Sequence, residues 1–110
     1  MDRLMHICPR EDWEAAQAQG AYRAASLESE GFIHCSRPEQ VEGTANRFYS
    51  GEEGLVLLHI DPELLGAEIR WEAADGQVFP HIYGPLELGA VVEVQIFNPD
   101  ETGKFSYIVE

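Results

Sequence analysis

Two cysteines in 110 residues, Cys8 and Cys35, are too few for a disulfide-stapled scaffold, so no structural disulfide is expected. Basic residues are also scarce. Seven lysines and arginines stand against twenty aspartates and glutamates, a formal charge of −13 spread along the chain rather than gathered in a tail. A field of this sign opposes the phosphate contacts that supply most non-specific nucleic-acid affinity, and it opposes anionic membranes as well. Neither nucleic acid nor membrane is expected as a partner. No apolar run approaches bilayer-spanning length, and the start Met1-Asp2-Arg3-Leu4-Met5-His6 lacks the features of a secretory signal, so a cytoplasmic protein is expected. Repeats, low-complexity tracts and a glycine-rich phosphate loop are missing too.

What is present suits one domain over residues 1–110, with 45% apolar residues and enough length to bury a core. Leu4 to Ile7 reads as a strand. Pro9 and the good helix formers Glu11 to Gln19 predict a helix that ends at Gly20. A brief extended piece at Tyr22 to Ala24 and a helical turn at Ser26 to Gly31 lead to a strand, Phe32 to Ser36. Ser36-Arg37-Pro38-Glu39 matches a capping box, which predicts a second helix from Pro38 to Tyr49 with Val41, Ala45 and Phe48 on one stripe. Leu55 to Ile60 is apolar enough for a central strand, and Asp61-Pro62 caps a short turn after it. Glu68 to Glu72 is a strand. Val78 to Tyr83 is another, bent or at an edge because Pro80 cannot donate to a ladder. Val91 to Phe97 is expected to pair with Phe105 to Val109. Helices gather in the first half and strands in the second, which favours an α+β domain with two main helices.

Three of the four histidines, His6, His34 and His81, sit in short apolar strand segments, a placement that suggests one shared cleft. His59 has a similar setting but leads straight into Asp61-Pro62, and serves as the comparison. A metal site is not expected. His34 and Cys35 point to opposite faces of a strand, and no recognised ligand spacing completes a set. The same divergence denies Cys35 a histidine base, which leaves it a small core residue, while Cys8 is the better candidate for a reactive thiol. Ser36 is accounted for by its cap, yet shares a face with Phe32 and His34. On the strand Arg70-Trp71-Glu72, Arg70 and Glu72 share one face: either a solvated ion pair over a buried indole, or an anion anchor beside a carboxylate. Phe79-Pro80-His81-Ile82-Tyr83, stiffened by proline, offers His81 and Tyr83 on one face as a wall for a planar ligand.

Gly31-Phe32-Ile33-His34-Cys35-Ser36, Arg70-Trp71-Glu72 and Phe79-Pro80-His81-Ile82-Tyr83-Gly84-Pro85-Leu86 follow the acidic helix start Glu11-Asp12-Trp13-Glu14. Together these segments resemble the bacterial domain-of-unknown-function 952 family over nearly the whole chain. That family is similar to the ADP-ribosyltransferase fold, whose members split NAD between nicotinamide and ribose. The resemblance implies small, strongly bent mixed or antiparallel sheets with helices at one side, and NAD as a substrate. It implies that His6 holds the ribose, that His34 and Ser36 line the nicotinamide pocket, and that Glu72 or His81 takes the later-strand catalytic place.

Two functional readings follow. In a nucleotide-handling enzyme, His6 and His34 meet the sugar, Tyr83 or Phe32 stacks on a ring, Glu72 or His81 supplies the catalytic group, and Arg23, Arg37 or Arg70 meets the pyrophosphate. In a non-catalytic module, the same cleft recognises a small ligand or a peptide. A purely structural role for the histidines would leave them far apart, or buried against backbone. The sequence identifies no protein partner.

Overall fold

The computed structural model describes residues 3–109. In chain order the elements are β1 (Leu4–Pro9), α1 (Arg10–Gln19), β2 (Ala21–Tyr22), α2 (Ala25–Ser29), β3 (Ile33–His34), α3 (Val41–Phe48), β4 (Leu55–Ile60), β5 (Glu68–Ala74), β6 (Gln77–Tyr83), β7 (Leu86–Glu87) and β8 (Val91–Phe97). This is an α+β fold of small antiparallel sheets. Met1 and Asp2, which open the N-terminal segment read above, lie outside the described residues.

β4, the most apolar segment, is buried at every position and runs between β1 and β8, antiparallel to both. Both of its faces need cover, and each builds a core. Val56, Leu58 and Ile60 join Leu4, Ile33 and Ile82 on one side. Leu55 and Leu57 join Met5, Ile7, Val41 and Phe105 on the other. Gly20 closes α1 as expected: at φ 84 it adopts the left-handed conformation, and its N–H reaches the Ala16 carbonyl at 2.9 Å.

The second sheet has the order β3-β6-β5. Asp75 and Gly76, at φ 51 and 77, form the two-residue turn that joins β5 to β6. Here the edge expectation for Pro80 is corrected, because β6 is the central strand. The Pro80 carbonyl accepts from Cys35 N–H at 3.2 Å, so the proline's missing N–H faces the same neighbour, and β3 ends after two residues. The two sheets are stitched at one point, where Met5 and Ser36 exchange backbone hydrogen bonds of 2.8 Å in both directions.

Three further expectations change. Phe105 to Val109 forms no strand on β8; its backbone is held by α3, with Phe105 N–H donating to Asn46 Oδ1 at 2.7 Å and Asn46 Nδ2 to the Phe105 carbonyl at 3.0 Å. Ser36 is not the helix cap. Pro38 to Gln40 first form a 3-10 turn, with Arg37 as its N-cap and the Arg37 N–H bonded to Gln40 Oε1 at 2.9 Å. The Trp71 indole is not buried but 53% exposed. Among the described residues no helix is long and apolar enough to cross a membrane.

Candidate functional site

Beyond the Met5–Ser36 stitch the sheets part, and a cleft of about 600 Å³ opens whose wall includes His6, His34 and His81. The three imidazoles come from β1, β3 and β6, and the pairing of His34 with His81 sets two of them side by side. Their rings meet edge to face, with centroids 5.2 Å apart, and Phe32 stacks on His81 at 4.3 Å with 18° between planes.

The histidines are chemically unequal. Nδ1 of His6 lies 2.6 Å from the His34 carbonyl, which can only accept, so Nδ1 carries the hydrogen and Nε2 accepts from Tyr22 Oη at 2.9 Å. No ring nitrogen of His6 is left for a ligand. Burial lowers its pKa from 6.5 to about 4, against the opposing effect of the hydrogen bond to the carbonyl. His34 is exposed, and its Nε2 lies 3.0 Å from Glu30 Oε2. His81 donates through Nδ1 to Glu72 Oε1 at 2.8 Å, which leaves Nε2 as its uncommitted polar atom.

Glu72 stands behind His81 rather than in the cleft wall. It also accepts from Tyr83 Oη at 2.7 Å, and the bonds from His81 and Tyr83 hold its carboxyl below the ordinary range. Arg70 does not pair with Glu72. Its guanidinium grips Glu68 through two bonds, of 3.1 and 3.2 Å, and lies over the Tyr83 ring at 4.1 Å. Of the other residues singled out in the sequence, Ser36 lines the cleft, with Oγ 3.4 Å from Thr44 Oγ1, while Phe32, Arg70 and Tyr83 sit outside the wall. Tyr22 and Glu30 escaped the sequence reading. Glu30 had a signal, its i,i+4 relation to His34 across a glycine; Tyr22 had none, because its partner is remote in the chain.

Both cysteines are free and buried. Burial pushes the Cys8 thiol up to about 12, a hydrogen bond with Tyr22 opposing it, and pushes Cys35 up as well. In this setting burial opposes the thiolate that the expected reactivity of Cys8 would need. With the fold intact at pH 8, iodoacetamide is expected to add to neither cysteine, and in urea to both. Intact mass distinguishes the outcomes, and rapid single alkylation of the native protein would overturn the assignment. His59, the comparison case, lies on the opposite face of the first sheet, hydrogen-bonded to Arg3 and Gln95.

These features define an α+β protein whose two three-stranded sheets, beside a small β2-β7 pair, part around a histidine-lined cleft. The chain belongs to the family described as Protein of unknown function (DUF952), whose model matches residues 7–94. Its fold and sequence are similar to the crystal structure of protein CC0527 from Caulobacter crescentus, a structural-genomics target: 37% identity over 94% of this chain and 93% of that one, with a TM-score of 0.86. A double-methionine variant of CC0527 gives 36% identity, the same coverage and the same TM-score. The solution NMR structure of CC0527 gives 37% identity over 94% and 91% of the two chains, with a TM-score of 0.81. No curated protein matches the chain.

Proposed function

We propose that the histidine cleft binds a small neutral or cationic heteroaromatic ligand of the nicotinamide kind, and that, where such a ring is cleaved from its ribose, His81 takes the proton of the attacking water while the ring leaves as neutral nicotinamide. The observation that carries this reading is the His81–Glu72 pair. A carboxylate bonded to Nδ1 fixes the ring and its tautomer, which is how a histidine is prepared to act as acid or base through Nε2. The His34 and His81 rings, edge to face in the cleft wall, supply aromatic surface for a planar ligand, and Phe32, stacked on His81 from outside the wall, backs that ring.

Charge selects the ligand class. The cleft wall carries Asp12, Glu30 and Asp75 but no lysine or arginine among the described residues. Arg23, Arg37 and Arg70 all lie outside it, and Arg47, which stands next to the wall, is already paired with Asp75 at 3.0 Å, so the pyrophosphate of NAD finds no unpaired cation there, whereas its positively charged nicotinamide ring suits Asp12 and Glu30. NAD therefore enters this reading as a substrate bound by its nicotinamide end. A second reading, a non-catalytic binding module, draws support from Glu72: set behind His81, it is poorly placed to steady an oxocarbenium-like transition state.

Titration with nicotinamide, with its N-methyl cation and with NAD, followed through the imidazole resonances, tests binding. Shifts at His34 and His81 that are lost in His81→Ala are expected, and no shift at millimolar ligand would sink both readings. Release of nicotinamide from NAD, abolished in His81→Ala, supports the enzyme. Saturable binding without turnover supports the module.

A further inference from the structure

We propose that a second cleft, on the face of the first sheet opposite His6, binds a small organic monoanion that carries a planar ring. This cleft measures about 1000 Å³ and is lined by Arg3, Arg37, His59, Ile69, Trp71 and Tyr107, among others. Arg37 is its focus. In a chain with so many carboxylates, Arg3, Arg10, Arg47 and Arg70 all have acidic partners, yet Arg37 forms no ion pair with any described residue. Its Nε is buried without a hydrogen-bond partner, so the protein leaves this guanidinium short of compensation that an anion meeting its accessible end would supply through charge.

The Arg37 backbone is also fixed at the edge of the cleft. Arg37 follows Ser36, stitched to β1 by two backbone bonds, and precedes Pro38, while its own N–H is tied to Gln40 Oε1. The neighbouring cation and imidazole are already committed. Arg3 donates to His59 Nδ1 at 3.2 Å and to Glu93 at 3.0 Å, and His59 therefore gives its Nε2 hydrogen to Gln95 at 3.0 Å. The open donors of the cleft thus centre on Arg37, whose fork suits a carboxylate. Trp71, 53% exposed on the same wall, and Ile69 offer flat apolar surface for a ring. Glu39, also in the wall, repels a second negative charge, which favours a monoanion over a phosphate dianion.

Indole-3-acetate, indole-3-acetamide and tryptamine form a series with one ring system and three charges, and two-dimensional ¹H–¹⁵N spectra report on the Trp71 indole N–H and Arg37 Nε–H directly. The acid is expected to shift both signals and to bind about tenfold or more tighter than the amide, with tryptamine weakest. Arg37→Gln should erase the preference for the acid, and Arg37→Lys should keep part of it. Equal binding of acid and amide, or shifts that fall on His34 and His81 instead, would overturn the proposal. If Arg37→Gln does not fold, the Arg37→Lys and Trp71→Ala variants decide: unchanged affinity for the acid in both refutes the site. The two clefts are read through different signals, Trp71 and Arg37 here and His34 and His81 there, so the two readings fail separately.

Discussion

Acidification from pH 7 to pH 4 is expected to remove about 3 kcal/mol of folding stability through His6 alone. Above pH 6.5 its imidazole is neutral in both states and adds no pH dependence. Between pH 6.5 and about 4 the unfolded chain takes up a proton that the folded one refuses, because burial has lowered the folded pKa to about 4. Stability therefore falls with pH through that window and levels off below it. Each tenfold change in proton affinity is worth about 1.4 kcal/mol, which sets the size of the loss. Protonation would also place a second hydrogen at Nε2, where the ring now accepts from Tyr22. Carboxylates titrate over part of the same range and relieve repulsion in a chain of charge −13, so the readout is a difference. Urea unfolding of the wild type and of His6→Gln, measured from pH 7 to pH 4, should diverge by about 3 kcal/mol in their pH-dependent parts. Parallel profiles would show that His6 is not the buried neutral group described.

Phe105→Ala is expected to cost about 3–5 kcal/mol, the usual range for emptying a buried phenylalanine site. The side chain is 0% exposed and packs on Phe97 with ring centroids 4.8 Å apart. Its backbone is clamped through both N–H and carbonyl by Asn46. Asn46→Ala should cost about 1–3 kcal/mol, since it strips partners from two backbone groups. Ile108→Ala, at a position 84% exposed, should stay within about 0.5 kcal/mol. Chemical unfolding of the three variants checks the ranking. A Phe105→Ala cost below about 1 kcal/mol would mean that the C-terminal segment does not close the second core.

The local pieces of the candidate site were legible in the sequence. Strand alternation correctly separates His34 from Cys35, one exposed and one buried, and puts His81 with Tyr83 on the face where both reach Glu72. The roles were not legible. His6 and His34 look alike as letters, but one has both nitrogens committed inside the protein and the other faces solvent. Glu72 and His81 looked like rivals for one catalytic place, and proved to be partners across adjacent strands. Arg70 was expected opposite a ligand or Glu72, but Glu68, two residues away on the same strand face, was nearer. Ser36 carried a convincing capping pattern that lost to a 3-10 start one residue later.

By itself the sequence determined the α+β character, the buried central strand, the end of α1 at Gly20 and the family. Each of these rests on hydrophobic periodicity, backbone preference or motif spacing, which are properties of neighbouring residues. Only the tertiary structure decided that three histidines share one cleft, that Arg37 and Trp71 meet in another, and that the C-terminal segment packs on α3 rather than on β8. Those outcomes depend on where β1 meets Ser36 and on strand register. A single residue of slip would turn every side chain on a strand to its other face, and nothing local to these segments fixes that choice.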